Sequence, residues 1–200
     1  MGIKERRDLE KAEMKRKIKD AAIEIINQDG YETLSIRKIA AKIEYSPTTI
    51  YLYYKDKAEI ITDMNNELYS KIVNNVTDFI NENALPSIDM QVKEILLVFI
   101  KSLSREPEMT KAIMYSGMNV IFANENDIPT NPGIEMLDQM LARGIEQKIF
   151  RPNVANTAWM ITSAILGFVM SIVENQIYLS DKFNQFAEDF AEILMGGIIY

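Results

Sequence analysis

Apolar residues recur at intervals of three and four along almost the whole chain, and the apolar-polar alternation of a half-buried strand appears nowhere convincingly. That period predicts an all-α fold of about nine helices. Met14, Ile18, Ala21, Ala22, Ile25 and Ile26 mark a first helix that stops at Gly30, a suitable C-terminal cap. Ser35 caps a short second helix with Ile36, Ile39, Ala40 and Ile43 on one face and Arg37, Lys38 and Lys42 off it. Pro47 opens a third, running to Tyr53 or Tyr54. A long helix over 56–83 carries the stripe Ile60, Met64, Leu68, Ile72, Val76, Phe79 and Ile80 and is closed by Pro86. Further helices are predicted over 87–104, 107–122, 133–148, 154–179 (opening at Asn153) and 181–195 (opening at Ser180, ended by Gly196 and Gly197), with 123–133 as the longest linker.

The 200 residues contain neither cysteine nor histidine. Disulfides, thiolate zinc sites and Ser-His-Asp or Cys-His catalysis are thereby excluded, leaving only carboxylate, lysine or tyrosine chemistry. No cofactor and no metal are expected. The opening MGIKERRDLEKAEMKRK lacks the apolar core of a signal peptide, so a cytoplasmic location is expected. The stretch AWMITSAILGFVMSIV at 158–173 falls short of the roughly 20 apolar residues a membrane span needs and reads as a buried helix.

The net charge of −7 is unevenly divided: residues 1–60 hold 13 Lys and Arg against 11 Asp and Glu, whereas 61–200 hold 9 against 18. Residues 1–19 alone reach 8 against 4, a local +4 that fits either a phosphate-binding arm or a merely solvated helix start.

The segment YSPTTIYLYYKDK, 45–57, is unusual for an amphipathic helix, since it offers hydroxyls where Lys and Glu are ordinarily found. In a helix starting at Pro47, Ile50 and Tyr54 point back toward the first two helices, while Thr48, Thr49, Leu52 and Tyr53 point away. Short hydroxyls on a projecting helix suit base edges in a major groove, and tyrosine hydroxyls suit phosphates. From the residues alone, a reading helix and an aromatic packing helix both fit.

The run AAIEIINQDGYETLSIRKIAAKIEYSPTTIYLYYKDKAEII, 21–61, closely resembles the N-terminal helix-turn-helix of the tetracycline repressor (TetR) family of transcription regulators. Its diagnostic pieces are the apolar helix ending in DGYETLSIRKIA, the turn ending in Ser-Pro, and TTIYLYYKDK. It departs from many members in having Tyr53 where histidine is frequent and Tyr45 where a small or branched residue is frequent. The resemblance implies a three-helix, homeodomain-like DNA-binding domain with its arm over 1–55 and a ligand-binding and dimerisation domain over 56–200. It implies that Arg37, Thr48, Thr49 and Leu52 approach base edges of double-stranded DNA, while Ser35, Tyr51, Tyr53 and Lys57 hold phosphates, with Thr33 beside them. Tyr51 serves equally well as a packing residue.

RGIEQKIFRPNVANTAWMITSAILGFV, 143–169, is similar to the pattern that precedes the family's dimerisation helices. Ala158, Ile161, Ile165, Phe168, Met170 and Ile172, with Phe183, Phe186, Phe190, Ile193 and Leu194, then predict a homodimer built on a four-helix bundle. Phe99, Met109, Met114, Tyr115, Met118, Phe122, Met136, Met140, Phe150, Trp159 and Met160 read individually as core; collectively they suit a small, mostly apolar effector. Asn119, Gln139, Arg143 and Asn175 are its polar candidates, and no ligand-binding residue is assigned. The implied function is a repressor released from a palindromic operator by that effector. An activator or a ligand-independent regulator under a partner protein is the alternative. A carboxylate enzyme using Glu106, Glu108 or Glu146 is the distant one, for these charges form no pair with a mechanism.

Overall fold

The computed structural model describes residues 2–83, 85–117 and 132–200, apart from the side chain of Ile3. The described residues form nine α-helices and no strand, and they fall into two compact units. One holds 2–68 and 108–117; the other holds 69–107, less residue 84, and 132–200.

The first unit begins with α1, Ile3–Asp29, whose start is held by the Gly2 N–H donating to Glu5 Oε2 at 2.7 Å. Its stripe of Ile18, Ala21, Ala22, Ile25 and Ile26 is buried. Gly30, at φ +85°, ends it in a conformation that glycine adopts without a Cβ penalty. A 3₁₀ turn at Tyr31–Thr33 leads to α2, Ile36–Lys42, where the Ser35 hydroxyl accepts the Lys38 N–H at 3.2 Å as the N-cap. Glu44, at φ +59°, turns the chain into α3, Pro47–Tyr51. Ser46 caps α3 by accepting the Thr49 N–H at 3.1 Å, and Pro47 occupies the first turn, where its missing N–H costs nothing. The helix α4, Lys57–Glu82, contributes Ile60, Ile61, Met64 and Leu68 to this core. Each such buried side chain is worth about 1.5–3 kcal/mol relative to exposure. The helix α6, Pro107–Tyr115, belongs here as well: the Asn27 amide of α1 donates to the Glu108 carbonyl at 3.0 Å and to its carboxylate at 2.7 Å.

The second unit contains the rest of α4 with α5 (Ile88–Ser104), α7 (Pro132–Glu146), α8 (Ala158–Glu174) and α9 (Phe183–Ile198). Its fixed point is Phe150, fully buried beneath Gly144; a Cβ on that glycine would stand 2.0 Å from the ring. The Gly144 carbonyl accepts both the Ile149 and Phe150 N–H groups, and Phe150 forms an isolated antiparallel bridge with Ile199.

Several expected boundaries are corrected. The third helix ends at Tyr51 rather than Tyr53 or Tyr54, and the helix predicted over 107–122 ends at Tyr115. The helix predicted from 154 begins at Ala158, because Pro152–Val154 forms a 3₁₀ turn and Asn156 takes a positive φ; the Asp138 carboxylate of α7 then accepts the Ala158 N–H at 3.1 Å. The same helix stops at Glu174 rather than 179, where Gln176 adopts the left-handed conformation. The last helix starts at Phe183 and passes through Gly196 and Gly197 to Ile198, so these glycines do not end it. The expected linker at 123–133 lies outside the described residues but for its last two, as do Met118, Asn119 and Phe122.

Candidate nucleic-acid interface

Two anchors set the orientation of α3. Ile50 and Tyr54 are buried, and on a helix that fixes which residues turn outward. Leu52 is 76% exposed and Tyr51 58%; Thr48 and Pro47 are exposed, and Thr49 and Tyr53 are half-buried. The Thr49 hydroxyl shares a 2.9 Å hydrogen bond with Ser46, which presets its rotamer. On α2, Arg37 is exposed and forms no ion pair among the described residues, whereas Lys38 pairs with Asp29 at 3.4 Å and Lys42 with Glu24 at 2.9 Å. Arg37, Thr48, Thr49, Tyr51 and Leu52 therefore stand on the solvent side of the α2–α3 pair, the two helices being in direct contact.

The remaining candidates are more committed internally. Ser35 uses one lone pair on the α2 cap, leaving its O–H to donate. Thr33 donates its hydroxyl proton to the Gly30 carbonyl at 2.9 Å, leaving its oxygen to accept. Lys57 is the first residue of α4 rather than a free cation past α3. Its Nζ donates to the Tyr31 carbonyl at 3.3 Å and lies 4.1 Å from the centre of the Tyr31 ring.

A cluster behind α3 escaped the sequence reading. The Tyr54 hydroxyl donates to Asp63 Oδ2 at 2.5 Å; Lys15 lies 3.4 Å from the same carboxylate and 4.7 Å over the Tyr54 ring; Lys19 bridges Asp63 and Glu67. Burial, reinforced by the bond to Asp63, holds the Tyr54 hydroxyl well above the usual tyrosine range. Desolvation pulls the Asp63 carboxyl upward, but the Tyr54 hydrogen bond and the charges of Lys19 and Lys15 outweigh it and hold the group below its ordinary value. Two lysines four apart on α1 matched to two carboxylates four apart on α4 is a signal the sequence contains. Each pair taken alone reads as ordinary surface charge.

Residues 18–64 match the model of the family described as bacterial regulatory proteins, tetR family. This N-terminal stretch, about a quarter of the chain, is thus similar to the family's domain. The matched residues run from Ile18 of α1 to Met64 of α4, so the tetR-family domain takes in α2, α3, both buried anchors and Asp63. The fatty acid metabolism regulator protein of Bacillus subtilis (strain 168) is 34% identical over 65 residues, which is 32% of this chain. That match spans about a third of the relative's length, 34%. The whole-chain fold is shared with the fatty acid degradation regulator FadR from Bacillus halodurans (TM-score 0.69, 19% identity, 92% of this chain and 95% of that one). It is shared also with the TetR family regulator PfmR from Thermus thermophilus (TM-score 0.65, 15% identity, 89% and 93% of the two chains).

Outside the tetR-family domain, the carboxylates considered for catalysis have other roles or none in common. Glu106 pairs with Lys71 at 2.6 Å, Glu108 holds Asn27, and Glu146 stands on the surface. Among the described residues no group of acidic side chains is placed to hold a metal, and no helix is long and apolar enough to cross a membrane. Of the residues considered for an effector, Met109, Met140 and Phe150 are buried, whereas Trp159, Met160, Tyr115, Gln139, Arg143 and Asn175 are exposed.

Proposed function

We propose that the chain is a homodimeric, DNA-binding transcriptional regulator, acting as a repressor on a palindromic operator and released by a small, mostly apolar effector. The observation that carries this is the split character of α3 and the turn that ends it, buried through Ile50 and Tyr54 and open to solvent through Thr48, Tyr51 and Leu52. In this reading residues 1–55 bind DNA and 56–200 bind the effector and the second copy. Arg37, Thr48, Thr49 and Leu52 approach base edges; Ser35, Tyr51, Tyr53, Lys57 and Thr33 hold phosphates.

One short helix reads only a few base pairs, at about 1–3 kcal/mol per good contact, so two copies with half-site centres about 34–36 Å apart are needed to discriminate against a genome. The exposed apolar side chains Trp159 and Met160 on α8, with Phe186 and Ile193 on α9, support pairing through these helices. The α4 helix, shared by both units, is the proposed route by which an effector changes operator affinity; a tenfold change corresponds to about 1.4 kcal/mol of differential binding. Two matched proteins are named for regulating fatty acid metabolism and degradation, which supports acyl compounds as the first effectors to try.

The test is selection of a binding sequence from random duplexes, followed by comparison of selected with random DNA. Arg37→Ala and Thr49→Ala should lower the preference, while Lys57→Ala should weaken both alike. An unchanged preference in the first two variants refutes their assignment. Deleting the gene and following the neighbouring promoter separates repressor from activator, since expression rises for the first and falls for the second.

A further inference from the structure

We infer that the first three turns of α1 form a second phosphate-binding surface, a basic stripe of Lys4, Arg7 and Lys11 that grips duplex DNA flanking the bases α3 reads. The inference rests on the DNA-binding function proposed above. Residues 4–13 are all exposed, so this part of α1 contributes nothing to the core. Its charges balance, Lys4, Arg6, Arg7 and Lys11 against Glu5, Asp8, Glu10 and Glu13, so net charge cannot account for their arrangement.

The arrangement is sorted by face. Arg6, Arg16 and Lys17 each have a partner four residues away on the helix: Glu10 at 2.9 Å, Asp20 at 3.2 Å and Glu13 at 3.3 Å. Lys4, Arg7 and Lys11 have no ion pair among the described residues, although Asp8 stands at the edge of their stripe. With Lys15 they fall within about 80° of the helix circumference, at 100° per residue. That is the sector of Ile18, Ala22 and Ile25, so the inward stripe of α1 turns from apolar to basic where the helix leaves the domain.

Lys15 fixes where the stripe points, because its ammonium lies over the ring of Tyr54, just past the C-terminal end of α3. At 1.5 Å per residue, Lys11, Arg7 and Lys4 follow about 6, 12 and 17 Å further along α1. A duplex seated on the open face of α3 continues beyond the half-site, and its backbone is the polyanion such a row of unpaired cations complements.

The experiment measures binding of a random-sequence duplex by fluorescence anisotropy across a series of sodium chloride concentrations. For Lys4→Gln/Arg7→Gln/Lys11→Gln, the slope of log K against log salt should shrink by about 2.7 per bound chain, at about 0.9 per lost phosphate contact. Arg6→Gln/Arg16→Gln/Lys17→Gln removes equal charge from the opposite side and should leave the slope near wild type. Circular dichroism melting of both variants confirms that α1 stays folded. Equal slope changes in the two variants, or none in the first, overturn the stripe while leaving the proposed function standing. Loss of binding to phosphatidylserine vesicles by the first variant, with its duplex slope intact, overturns it in favour of a membrane surface. No binding of duplex by the wild-type chain defeats the function itself, and this surface with it.

Discussion

The outward faces of α3 and of the α8–α9 pair are both rich in exposed bulky side chains, yet their chemistry differs. Around Leu52 and Tyr51 the neighbours are Thr48, Thr49 and Arg37, short hydroxyls and a cation that can meet bases and phosphates. Around Trp159, Met160, Phe186 and Ile193 the exposed positions include the small groups Ala164, Gly167 and Gly196, with Ser163 and Asp189 already hydrogen-bonded within their own helices. Exposure alone does not name a partner. The polarity of what surrounds the exposed group does: a wet, anionic groove suits the first face, and a second apolar surface suits the other.

The sharpest way to break this contrast is to charge the apolar face. Ile193→Asp with Phe186→Asp should convert dimer to monomer in analytical ultracentrifugation and lower operator affinity by about a thousandfold or more, since each half-site alone supplies only part of the readout. A dimer that survives both changes would remove this face as the interface. Next in size is Gly144→Ala. Its Cβ would stand 2.0 Å from the Phe150 ring, and an overpacked core costs about 1–3 kcal/mol or more, read as a lower midpoint in urea unfolding.

Behind α3 the effect is smaller. Asp63→Asn keeps an acceptor for Tyr54 but removes the charge opposite Lys15 and Lys19, and should cost about 1 kcal/mol at pH 7, the exposed part of the cluster being screened. Because the folded carboxyl titrates below its ordinary value, this contribution is present above the unfolded pKa of about 3.9 and is lost as pH falls through the folded one. The wild-type advantage over Asp63→Asn should therefore shrink in acid. The smallest expected change is that of Lys57→Gln on duplex binding, a loss of less than one phosphate contact in the salt slope, as the ammonium is already held by Tyr31.

The same contrast explains what the sequence made legible. Caps and anchors are local: Ser35, Pro47 and Gly30 each act within four residues, and the helix ends they set lie where their spacing predicts, whereas the end of α3, which carries no such signal, falls at Tyr51 rather than Tyr53 or Tyr54. The start of α8 is not local, since the group that caps it, Asp138, is twenty residues away on α7. Nor is the Tyr54–Asp63 cluster, whose lysines lie 48 residues before their carboxylates. Gly196 and Gly197 look like a helix end by composition, but the Arg151 N–H takes the Ile198 carbonyl and Ile199 bridges Phe150, so tertiary bonds carry the helix past them.

The reading face is open to photo-crosslinking with p-benzoylphenylalanine placed at Leu52 and, separately, at Ile193, each in the presence of a selected duplex. The probe at 52 should join the chain to DNA, and the probe at 193 should join it to a second copy. Duplex bound with no DNA adduct from position 52, or an adduct there only to protein, would refute α3 as the helix that enters the groove.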